Sequence, residues 1–166
     1  MPKGPLFGTE RSTLAAVGAG LAAGVIATIL EIALWWLSEV PVPETLFRDA
    51  RLTAAIVMGP SVLPPPNTLQ WNVMLVATLI HFALSIVYGL IMAGFIGRLR
   101  VRQGLLAGGL YGMVLYVINL YGFTVIFPWF AVARDWITFV THLAFGTILA
   151  SSYFALRSRH PPTSVR

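Results

Sequence analysis

Four long stretches of this chain carry almost no charge, and that decides what it can fold into. Residues 12–38, 73–97, 103–133 and 136–156 contain no Asp, Lys or Arg, and Glu31 is the single Glu among them. They run to 27, 25, 31 and 21 residues. A helix needs about 20 apolar residues to cross a hydrocarbon core roughly 30 Å thick. Only helices and closed barrels satisfy their own backbone groups in lipid. Barrel strands alternate polar and apolar residues, and these stretches do not. The expected fold is therefore all-α: an integral membrane protein of four transmembrane helices in an up-down bundle. With 57% hydrophobic and 10% charged residues, little is left to cover a soluble surface.

The spans are expected at about 13–37, 72–96, 103–127 and 134–156, within one domain over 1–160, and 161–166 form a tail. The first apolar run is longer than a cleaved leader's, and no small-residue cleavage pattern follows it, so it reads as a retained helix. The chain has no cysteine, which excludes disulfides and thiolate metal sites. Its net charge of +5 does not point to nucleic acid, because the cations gather at span ends. Lys3 and Arg11 precede the first span, Arg98, Arg100 and Arg102 fill the second connection, and Arg157, Arg159 and Arg166 follow the fourth. The positive-inside rule puts these regions, with both termini, in the cytoplasm of a bacterial-type inner membrane. The arginines of the second connection would also touch anionic headgroups. Trp35, Trp36, Trp71, Trp129 and Trp136 then fall near the outer boundary, where indole is favoured.

The long outer loop, about 38–71, holds a stretch at 44–58 too short to span but able to form a helix on the surface. Pro64, Pro65 and Pro66 force extended chain after it. The loop reads as a packed surface element or as a docking site for a partner. Pro128 should end the third span, and Asp135 should cap the fourth.

Part of the sequence recurs. Gly20, Gly24 and Glu31 align with Gly108, Gly112 and Asn119 at an offset of 88 residues, and His81-x-Ala83 aligns with His142-x-Ala144 at an offset of 61. A helix hairpin used twice would give a parallel pseudo-twofold axis along the membrane normal.

Glu31, His81, Asn119 and His142 each lie seven to nine residues from the outer end of a different span. At 1.5 Å per residue they share one depth. Gly20, Gly24, Thr28 and Glu31 form one helical stripe, as do Gly108, Gly112, Tyr116 and Asn119, so the polar groups should face neighbouring helices. His81 needs a polar partner in such surroundings, and Glu31 is the expected one.

Four readings of this layer compete. In the leading one it fixes helix packing in an accessory or redox-associated subunit of a larger membrane complex. Its partners are then the bilayer and other membrane subunits or further copies. In the second, His81 and His142 are axial ligands of b-type haem, with Glu31 and Asn119 bonding the ring N–H groups. This pair of histidines resembles the two-histidine haem sites of small membrane cytochromes b. In the third, Glu31, His81 and His142 hold a bare transition-metal ion. In the fourth, Glu31 titrates in a proton- or cation-coupled transporter. A membrane-embedded Glu in the first of four helices resembles the small multidrug transporters, although those chains are shorter and lack a loop like 38–71. No catalytic motif appears, so the chain is not expected to be an enzyme on its own.

The absence of cysteine makes the topology directly testable. A single Asn67→Cys should react with an impermeant maleimide added to intact cells. Leu99→Cys should react only after the membrane is opened.

Overall fold

The computed structural model describes residues 6–158. Lys3, Arg159, His160 and Arg166, and the side chain of Arg11, lie outside the described residues. Among the described residues there are five α-helices: α1 Leu6–Leu37, α2 Val42–Met58, α3 Trp71–Ile96, α4 Val101–Val117 and α5 Trp136–Ser158. Four of the described segments are long and apolar enough to cross a membrane: Ser12–Leu37, Trp71–Ile96, Val101–Val125 and Trp136–Ser158. No strand occurs among the described residues. Large apolar side chains cover the outside of these segments, with Leu79, Phe95, Leu106 and Leu110 all more than 60% exposed. A surface of that kind suits contact with hydrocarbon.

The third span is not a uniform helix over 103–127. It widens by one residue per turn over Ile118–Gly122 and tightens over Phe123–Val125. Such widened turns leave backbone groups to be satisfied from elsewhere. Here Arg134 donates from Nε to the Leu120 carbonyl at 2.7 Å and from Nη2 to Thr124 Oγ1 at 2.7 Å. Its guanidinium also lies 4.3 Å from the centre of the Tyr121 ring. Pro128 opens a short turn, Pro128–Ala133, as expected of a residue that ends a helix. Asp135 caps α5, accepting the Thr138 backbone N–H at 2.8 Å.

α2 is the helix expected near 44–58, but it is folded onto the spans. Its Ala50 and Ala54 pack against Val73 and Ala77 of α3. Arg51, 4% exposed, donates to the carbonyls of Val62, Pro64 and Thr68 and so holds the following connection against α2. Trp129 Nε1 donates to the Leu52 carbonyl at 3.0 Å, tying α2 to the turn before α5. α2 thus roofs one end of the helices.

Below the roof, α1 packs along both α3 and α5, and α4 packs along α5. α3 and α4 touch at few points. The tight seams are built on glycine. A Cβ on Gly20 would overlap the Ser85 carbonyl of α3, and one on Gly108 would come within 2.5 Å of the Gly146 carbonyl of α5. A Cβ on Gly112 would overlap the His142 carbonyl. The offsets read from the sequence therefore carry contacts across: 88 takes Gly20 to Gly108, and 61 takes Ser85 to Gly146. In lipid, close packing of this kind replaces the hydrophobic drive between helices.

Gly112→Ala and Gly20→Ala should each destabilise the protein by about 1–3 kcal/mol, because backbone must move. Gly94→Ala, where a Cβ meets nothing within 4 Å, should stay within about 0.5 kcal/mol. Thermal unfolding in detergent measures both.

Candidate functional site

The glycine seams fix the height at which the polar residues meet. Glu31, His81, Asn119 and His142 all line one cavity of about 220 Å³, enclosed by α1, α3, α4 and α5 under α2. Asp49 and Thr53 reach it from the roof, and Tyr88, Ser85 and Thr28 from the walls. The remaining lining is mostly apolar, with Phe123, Phe130 and Phe145 among it.

The hydrogen bonds differ from the expected layer. His81 does not bond to Glu31. Its Nε2 stands 3.4 Å from Thr28 Oγ1 and 3.4 Å from the Gly24 carbonyl. The Thr28 hydroxyl already donates to that carbonyl at 2.9 Å, so His81 Nε2 carries the proton. The reason is a shift of register. Gly20 meets α3 at Ser85, which brings His81 beside Gly24 and Thr28. Glu31 stands three residues further along, about 4.5 Å of rise. Among the described residues, Glu31 has no hydrogen-bond partner. The charges that act on it are Asp49 and Asp135, both negative, and Arg48.

The other half is in register. Asn119 Nδ2 lies 3.4 Å from His142 Nε2, and its Oδ1 accepts the Tyr88 hydroxyl at 2.6 Å. His142 Nδ1 donates to the Thr138 carbonyl at 2.8 Å. That fixes the tautomer: Nε2 is the acceptor, facing the Asn119 amide. Tyr116, one turn from Asn119, presents its ring to the His142 ring at 5.7 Å. Tyr88 on α3 thus reaches Asn119 on the α4 side, and the Tyr111 hydroxyl returns a bond to the Tyr88 carbonyl at 3.1 Å. These bonds cross the seam where α3 and α4 barely touch.

The three-ligand set of Glu31, His81 and His142 is not assembled. No three His, Asp or Glu among the described residues stand close enough together to hold a metal ion. His81 Nε2 faces α1, and His142 Nε2 faces Asn119. The sequence reading missed Asp49 and Tyr88. Asp49 was masked by its place in a connection, and Tyr88 by the ordinary role of tyrosine in packing.

At the roof, Asp49 accepts from Arg48 Nε at 2.7 Å. Burial pushes the Asp49 carboxyl above its usual value, and the Arg48 bond offsets only part of that. Compared with protein-family models, curated proteins and solved structures, the chain matches none.

A raised carboxyl pKa means that its contribution to stability is present below the unfolded value, about 4. It is lost as pH rises through the folded one. Thermal stability should therefore fall as pH rises above the ordinary carboxylate range. Asp49→Asn should flatten that slope in a pH series of unfolding temperatures.

Proposed function

We propose that this is a multi-pass membrane protein that binds a small cationic guest of the amine class in its intramembrane cavity, as the binding step of proton- or cation-coupled transport. The observation that carries this reading is Glu31. An ionisable residue inside a span normally pairs with protein groups or serves a site. Glu31 lines a cavity, and its carboxyl accepts no hydrogen bond from the other described residues. Asp49 and Asp135 add negative charge, and Arg48 alone opposes them. Aromatic rings in the wall favour a cation further.

Size agrees with a small guest. Pockets for drug-sized ligands run to roughly 300–1,000 Å³, and this one is about 220 Å³. In this reading the guest enters from the roof side or through the loose seam of α3 and α4.

In this reading the spans run up-down, with the arginine-rich end and both termini in the cytoplasm, and the chain is one helix hairpin used twice. Support for the hairpin comes from the matching contacts of Gly20 with Ser85 and Gly108 with Gly146. The two halves then differ where it matters, Glu31 answering to Asn119.

Benzylamine and benzyl alcohol separate charge from shape. Purified protein should bind benzylamine in preference to the alcohol, and Glu31→Gln should weaken the amine at least about tenfold, or 1.4 kcal/mol. Equal binding of the amine by Glu31→Gln, measured by calorimetry in detergent, would sink the proposal.

A further inference from the structure

The opposite end of the molecule holds a second concavity that the cation site does not use. It is an open crevice of about 1,480 Å³ between the N-terminal part of α1, the end of α3, the start of α4 and the end of α5. Its walls are chiefly apolar or small, and Gly94 leaves open space beside α3. Arg98, Arg100 and Arg157 line it, and none of its lining residues is acidic. All three arginines are exposed. The only ion pair among the described residues is Arg48 with Asp49, at the other end. Arg157 is nevertheless placed, since its Nη1 donates to the Gly97 carbonyl at the end of α3, and its other N–H groups have no acceptor among the described residues. The Tyr153 hydroxyl, 2.7 Å from Ser12 Oγ, adds a polar group to the floor.

We infer that this crevice binds one anionic phospholipid, its phosphate held by Arg98, Arg100 and Arg157 and an acyl chain lying along the apolar walls. Guanidinium is suited to phosphate because its donors match two oxygens at once. Basic pockets between membrane helices take lipid head groups in this way. A free phosphate ion would use the arginines but leave the apolar walls without a role. Arg102 is a built-in control: it belongs to the same basic connection but does not line the crevice.

The test is native mass spectrometry of the full chain released from detergent, loaded with phosphatidylglycerol or with phosphatidylcholine of the same acyl chains. One phosphatidylglycerol per chain should be retained in preference to phosphatidylcholine. Arg98→Gln, Arg100→Gln and Arg157→Gln should each lower that preference about fivefold, and Arg102→Gln should change it by less than about twofold. Equal retention of the two lipids by the unaltered protein would overturn the proposal without any variant. So would an Arg102→Gln effect as large as the others, which would mean diffuse charge. Displacement of the lipid by millimolar inorganic phosphate would assign the arginines to a free anion instead.

Discussion

Everything in this structure depends on how closely backbone can approach backbone inside an apolar solvent. Hydrocarbon outside and hydrocarbon side chains inside offer no difference for the hydrophobic effect to exploit. What remains is contact, and contact is greatest where no Cβ intervenes. Gly20 against Ser85, Gly108 against Gly146 and Gly112 against His142 are such places. They lock α1 to α3 and α4 to α5, and so set the height of each side chain relative to its neighbours. The chemistry of the cavity follows from that register. Had α1 slid by one turn against α3, Glu31 would have met His81 and the two would have paired.

Two kinds of polar residue result. His81, His142, Asn119 and Tyr88 spend their hydrogen bonds on the protein, joining α3 to α1, α5 to α4 and α3 to the α4 side. Glu31 does not. The satisfied groups give the cavity a fixed shape at little electrostatic cost, and the unsatisfied one gives it a demand that a guest can meet. The roof contributes to the same end. Arg51, buried against three carbonyls, holds α2 in place, and Asp49 brings a second carboxyl over the opening.

Much of this was legible in the sequence, because hydropathy reports directly on what a backbone can do in lipid. The four spans, the surface-length helix near 44–58, the Asp135 cap and the convergence of Glu31, His81, Asn119 and His142 on one cavity follow from charge spacing, capping and helix rise. The pairing of Glu31 with His81 does not survive, because depth counted from assumed span ends carries an error of about one turn. One turn separates Thr28 from Glu31. The widened turn at Ile118–Gly122 was also out of reach. Its sequence is as apolar as its surroundings, and the residue that stabilises it, Arg134, comes from the far end of the next connection. The place of Arg51 was out of reach too, because sequence shows the charge and not the carbonyls that converge on it.

The loose seam between α3 and α4 has a meaning of its own. If one hairpin is used twice, the axis relating the halves pairs this seam with the one between α1 and α5, which is tightly packed. Two identical hairpins would have to treat both seams alike, and would place two carboxyls at one level, where each resists the ionisation of the other. Joining them in one chain removes that obligation. One seam can pack tightly while the other stays loose, and a single carboxyl can stand in the layer where symmetry would have required two.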